Sequence, residues 1–160
     1  MSDTDFDIDH HDRQILDLLR DDGRLTSQEL ADLVGLSSSQ CARRRVALEQ
    51  RGLILGYHAQ LSPQADGTPL LSLIEVRLVR QAHDSVESLL RFVRDEPLVR
   101  DVFKLTGDHD YLIKAAVGDL AALNRLLNSL SALPDCVAHV RTSVVLERIK
   151  ESGRMLPTQA

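Results

Sequence analysis

"TSQELADLVGLSSSQCARRRVALEQRGLI", residues 26–54, carries a start and a stop signal for each of two helices. Thr26 is followed three residues later by Glu29, the pair that forms a capping box at a helix N-terminus. Leu30, Leu33 and Val34 then make an apolar stripe, and Gly35 ends the helix after about two turns. Ser37 caps a further helix that runs to Arg51, where Gly52 stops it. Just upstream, "DHHDRQILDLLRDD" (9–22) aligns Ile15, Leu18 and Leu19 on one face before Gly23. A helix, a short helix, a tight glycine turn and a longer helix make the helix-turn-helix arrangement.

The chain is acidic, with 19 Lys+Arg against 24 Asp+Glu and a formal net charge of −5, yet Arg43, Arg44 and Arg45 stand together. At about 100° per residue Cys41, Arg45 and Leu48 share one side of the third helix. Ser39, Arg43 and Gln50 point the opposite way, with Gln40 and Ala47 beside them, and Arg44 lies on a flank. A basic helix face on its own is solvated surface. The helix-turn-helix spacing ahead of it turns the reading to double-stranded DNA. Gln40 and Arg43 are expected to read base edges, and Ser38, Ser39 and Arg44 to contact phosphates. Residues 36–60 hold four arginines and one acid, a local surplus of three positive charges. A few contacts per subunit imply that several subunits bind at once. Arg45 falls on the packing side, so it must snorkel or pair, with Glu29 or Glu49 as partner. Cys41 reads as a small buried hydrophobe.

With 160 residues and 43% hydrophobic content, the chain is long enough for one domain or two small ones with a folded core. There is no Trp, with only three Phe and two Tyr, so the core must be aliphatic. No apolar run approaches the ~20 residues of a membrane helix. The start, "MSDTDFDIDHHD", lacks the features of a signal peptide. Cys41 and Cys136 lie far apart without metal or redox spacing. A reduced, cytoplasmic protein is expected.

"LILGYHAQL" (53–61) reads as a short strand or extended connector, and "SPQADGTP" (62–69) as a linker. Beyond it the expected elements are a strand at 70–79, then a helix with Val86, Leu89, Leu90 and Val93 inward. Strands at 98–106 and 111–117 follow, joined by "GDHD". A helix with Leu120, Leu123, Leu127 and Leu130 inward and a last strand at 136–149 complete the set. The fold class is α+β: a helix-turn-helix (winged-helix-like) domain over 1–61, then a ferredoxin-like βαββαβ domain over 70–150. A tail over 151–160 is expected to fray. Such a sheet leaves one face bare, which a second copy would bury, with Leu71 and Leu73 contributing.

At this point the chain resembles the Lrp/AsnC (feast/famine) family of transcription regulators over residues 7–150. "DRQILDLLRDDGRLTSQELADLVGLSSSQCARRRVALEQRGLILGY" is similar to the family's helix-turn-helix, including the trailing "GLI-GY". "LTGDHDYLIKAAV" is similar to its sensor signature, a G-x-x-D turn between two strands. The resemblance implies a homodimer built on the sheets, often an octamer that bends or wraps DNA. It also implies a free amino acid as effector, bound between sensor domains of neighbouring dimers. Arg45 departs from the family's pattern, which usually has an apolar residue there. "SQCARRR" is similar to a subset that includes regulators of proline and branched-chain amino-acid catabolism.

The "GDHD" loop admits three readings: a metal or enzyme centre, a hairpin turn, or a ligand cradle. The other histidines show no ligand spacing to it, and Gly and Asp are common turn residues. With the resemblance, the cradle is preferred. Thr106, Gly107, Asp108, His109 and Asp110 would hold the effector, with Thr142 and Ser143 as further lining. Gly107 permits backbone approach, and an Asp meets the ammonium. A small apolar amino acid such as proline, leucine or methionine is slightly preferred. His10-His11-Asp12 reads as a solvated helix start. No phosphate loop or nucleophile motif is present, so no catalytic residue, metal or cofactor is expected. The alternative is a ligand-independent DNA-architectural protein of the same fold.

Overall fold

The structure, a computed structural model, describes residues 8–59, 61, 65, 67–79, 83–151 and 153–156, without the side chain of Arg154. The chain divides into two compact units, Met1–Gln60 and Leu61–Ala160. Of the expected linker 62–69, residues 62–64 and 66 lie outside the described residues.

The first unit has α1 (His10–Asp21), α2 (Ser27–Val34) and α3 (Ser38–Gln50). Each begins on a side-chain cap, which stabilises a helix by about 1 kcal/mol. Asp9 accepts from the Asp12 N–H, and Thr26–Glu29 and Ser37–Gln40 both close as capping boxes. Gly35 ends α2 with φ +76°, a conformation glycine adopts without Cβ strain. The core is Ile15, Leu19, Leu30, Ala31, Val34, Cys41 and Leu48. Leu33, expected inside, is 59% exposed, and Ala31 takes its place. In so short a helix the buried arc centres on Leu30, Ala31 and Val34, and Leu33 falls outside it. Leu55 to Ala59 run without strand pairing.

Arg45 lies on the inner side of α3, and its head reaches the edge of the unit. Its Nη1 donates to the Leu25 carbonyl at 3.0 Å, and its Nε donates to the Tyr57 hydroxyl at 2.8 Å. The Tyr57 O–H donates in turn to Glu49 Oε1 at 2.9 Å, which sits 3.4 Å from Arg45 Nε. The guanidinium carbon lies 4.4 Å from the centre of the Tyr57 ring, a cation–π distance. Its carboxylate partner is therefore Glu49; Glu29 is occupied in the Thr26 cap. Burial first, then the Glu49 hydrogen bond, raises the Tyr57 pKa.

The second unit has β1 (Leu70–Leu78), α4 (His83–Asp95), β2 (Val99–Lys104), β3 (Tyr111–Val117), α5 (Leu120–Ser131) and β4 (Val137–Val145). The sheet order is β2-β3-β1-β4 with every neighbour antiparallel, the split βαββαβ topology. Ile74, Val76, Leu78, Ile113 and Ala115 pack beneath Leu89 of α4 and Leu123, Leu126 and Leu130 of α5. Leu90 and Leu120, expected inside, are 42% and 64% exposed. By strand alternation Leu71, Leu73, Glu75, Lys114 and Phe103 point to the other, helix-free face.

The expected frayed tail is corrected in part. Lys150–Glu151 (β5) pairs with Arg154–Met155 (β6) as a small hairpin, whereas residues 152 and 157–160 lie outside the described residues. Lys114 Nζ donates to Glu151 at 2.6 Å and lies 3.4 Å from Asp101, so the hairpin returns to the helix-free side of the sheet. Burial works against the Lys114 charge, but pairing with Glu151 and Asp101 outweighs it and raises its pKa.

Among the described residues no helix is long and apolar enough to cross a membrane. The Arg45–Tyr57–Glu49 contacts generate a stability prediction. Tyr57→Phe should lower unfolding free energy by ~0.5–1.5 kcal/mol through lost hydrogen bonds, and Tyr57→Ala by ~2–3 kcal/mol through loss of the stacked ring as well. Urea unfolding monitored by circular dichroism measures both, and equal losses would show that the ring adds nothing.

Candidate nucleic-acid interface and effector loop

α3 presents the residues expected to meet DNA, but in three different states. Arg43 is exposed and makes no hydrogen bond or ion pair with any described residue. Ser39 is exposed, its hydroxyl 3.2 Å from that of Ser37, and Ser38 is half-buried. Gln40 is exposed, but its Oε1 accepts from both the Ser37 N–H and the Ser37 hydroxyl at 2.9 Å. A bidentate contact to adenine needs that oxygen as well as the amide nitrogen. Gln40 as found is therefore a cap, and reading a base would require breaking it.

Arg44 is not a free cation at the helix flank. Its Nη1 is held by Asp9 at 2.6 Å and Asp12 at 2.7 Å, and Asp12 also faces Arg51 at 3.8 Å. These carboxylates raise the Arg44 pKa, Asp12 contributing before Asp9. The reading of His10-His11-Asp12 as a solvated helix start is corrected for Asp12, which is buried and ties α1 to α3. The sequence reading missed Asp9, Asp12 and Tyr57. The signal was present in the charge pattern: four arginines on and just after α3 need anions, and α1 opens with acids three residues apart.

In the second unit the turn between β2 and β3 holds Thr106 to Asp110. Gly107 has φ +128°, and a Cβ there would meet nothing within 4 Å, so its backbone is open to approach. Asp110 fastens the turn to β1. Its N–H donates to the Val76 carbonyl at 2.9 Å, and its Oδ2 accepts from the Leu78 N–H at 2.8 Å. Asp108 is exposed and makes no hydrogen bond or ion pair with any described residue. His109 is largely buried, with Nδ1 3.9 Å from Glu75 Oε1 and its ring 6.2 Å from that of His139. Arg141 reaches the other oxygen of Glu75 at 3.5 Å. Glu75, His139 and Arg141 were not anticipated from sequence, because only the strand register brings them beside the loop.

Thr142 and Ser143 are divided by the sheet. Thr142 stands opposite Ile74 on the helix-covered side, and Ser143 opposite Leu73 on the other. Their side chains project to opposite faces of the edge strand β4. Among the described residues no group of three His, Cys, Asp or Glu side chains is placed to hold a metal. Cys41 and Cys136 are both free and buried, and desolvation raises both thiol pKa values.

Comparison with known proteins bears on both units. A winged helix-turn-helix DNA-binding family matches residues 8–54, and the Lrp/AsnC ligand binding domain matches residues 71–155. The leucine-responsive regulatory protein of Escherichia coli is 39% identical over 151 residues, covering 94% of this chain and 92% of its own. A transcriptional regulator of Neisseria meningitidis, solved as its complex with L-Met, superposes with a TM-score of 0.82 at 38% identity, covering 93% of this chain and 96% of its own. An AsnC family regulator of Agrobacterium tumefaciens superposes with a TM-score of 0.81 at 30% identity, covering 93% and 96%. The chain belongs to the Lrp/AsnC family of DNA-binding transcriptional regulators, which are not enzymes.

Proposed function

We propose that the protein is a cytoplasmic, sequence-specific regulator whose DNA binding answers to a free amino acid. The observation that carries the DNA half is Arg43, the exposed α3 cation with no partner among the described residues. It reads a base edge, Ser38 and Ser39 contact phosphates at the start of α3, and Gln40 joins them only by leaving its cap. Arg43→Ala should cost ~1–3 kcal/mol and relax sequence preference. Footprinting upstream of the protein's own gene at matched salt checks this, and a footprint identical to the parent would place the reading face elsewhere.

The effector half is supported by the Thr106–Asp110 turn and by two relatives, one leucine-responsive and one bound to L-Met. A free amino acid needs a cation-binding acid beside exposed N–H groups. Asp108 supplies the acid and the open backbone at Gly107 the approach. Asp110 holds the turn in shape and His109 closes its side, with Ser143 on the helix-free face as a further candidate. Methionine and leucine are the first probes. Asp108→Ala should weaken binding of the responding amino acid by about 10- to 100-fold, the worth of one charged hydrogen bond. Calorimetry measures this, with footprinting as the control for retained DNA binding. A parent that binds DNA yet gives no heat with any of the common amino acids would favour the ligand-independent architectural reading.

The helix-free sheet face is the proposed dimer surface, and the dimers are proposed to assemble to octamers around the effector turns. An obligate interface of this kind buries more than ~2,000 Å². Light scattering at micromolar concentration should give a dimer or larger, and Leu73→Glu should shift the mass toward the monomer. A folded parent monomer under those conditions would remove the proposal.

A further inference from the structure

Arg44 offers a single nitrogen to two acids that differ in how firmly they are placed. The Asp12 side chain is only 11% exposed and serves both Arg44 and Arg51. The Asp9 side chain is 49% exposed and lies at the very start of α1. Its Oδ1 accepts the Asp12 N–H at 2.8 Å, and its Oδ2 accepts from Arg44 Nη1 at 2.6 Å. The hydrogen bond from the Asp12 N–H, followed by that from Arg44, holds the Asp9 carboxyl below the usual carboxylate range.

We propose that Asp9 is an internal stand-in for a DNA phosphate: it holds Arg44 in the free protein and yields it to the backbone on binding, while Asp12 keeps the arginine in place. This rests on α3 being the element that meets DNA. One observation and two arguments support the exchange. The outer acid can leave without burying an unpaired charge, because half of it already faces water. The inner acid anchors Arg44 throughout, so the cation is presented in a fixed place. Exposed ion pairs are weak, so a phosphate can compete for the arginine.

The exchange makes a distinctive prediction about salt. A free arginine that neutralises a phosphate releases counterions from DNA. An arginine that first abandons a carboxylate releases none on balance, because the freed Asp9 must be neutralised by ions from solution. The parent protein should therefore gain little salt dependence from Arg44.

Asp9→Asn tests this cleanly, because asparagine caps a helix as well as aspartate and loses only the charge. It should tighten binding to a duplex from upstream of the protein's own gene by up to about fivefold per engaged subunit. It should also steepen the slope of log K against log salt by about 0.9 per engaged subunit. In an Arg44→Gln background both effects should vanish. Equal gains in that background would mean that Asp9 merely repels DNA at a distance, and no gain in either background would mean that Arg44 never leaves it; either result overturns the proposal. The guanidinium NMR signal of Arg44 in the parent protein does not depend on any variant folding. It should move when the duplex is added, and an unmoved signal also overturns the exchange.

Discussion

A guanidinium taken out of water must keep anions or carbonyls around it, and the first unit is organised by that requirement. Three of the four arginines on and just after α3 are met by their own chain. Arg45 is sandwiched between Leu25, Tyr57 and Glu49; Arg44 is clamped by Asp9 and Asp12; Arg51 shares Asp12. Removing the buried Asp12 from this set costs more than one pair contributes, whereas Asp9, half in water, adds little. The contacts therefore serve to hold α1, α3 and the segment after α3 in one arrangement. Tyr57 takes part twice, as a flat surface for Arg45 and as a hydroxyl relay to Glu49. A Cβ on Gly23 would stand 3.2 Å from its ring, so glycine there leaves room for it.

The second unit is organised by a different constraint. A four-stranded sheet with two helices on one side has another side to cover. Here the covering starts within the chain, where Lys114 draws Glu151 and the β5–β6 hairpin to the helix-free side. The same side carries Leu73, the exposed Phe103 and the Glu75–Arg141 pair, a mixture of apolar area and matched charge. Leu71 is nevertheless buried.

Element type and order were legible in the sequence because α1, α2, α3 and α5 carry their own side-chain caps and β1 its own alternation. The capping boxes at Thr26 and Ser37 and the positive φ of Gly35 are local events, set within four residues. What was not legible depends on which elements meet. Leu33 and Leu90 sit on apolar stripes, but the width of the buried arc is decided by the neighbouring helix or sheet. Arg45 was identified as inward-facing, but a choice between Glu29 and Glu49 needed the cap that engages Glu29. The Thr106–Asp110 turn was visible as a motif. The environment of His109, built by Glu75, His139 and Arg141 from two other strands, follows from register alone.

An acidic protein that binds a polyanion must localise its positive charge, and this chain does so sparingly. After internal pairing, α3 keeps one cation, Arg43, unengaged by any described residue. A few contacts per subunit give weak binding by themselves. Linking subunits turns each further contact into an intramolecular event, and affinity then rises steeply with the number engaged. A protein built this way transmits changes in assembly directly into DNA occupancy, because the count of engaged subunits sets the affinity. Under the proposed function, control then lies in the second unit, where a ligand that biases assembly would act on DNA without touching α3. Pairing Arg45 and Arg51 within the fold fits that proposal, since weak binding by a single helix-turn-helix leaves occupancy dependent on how many subunits are joined.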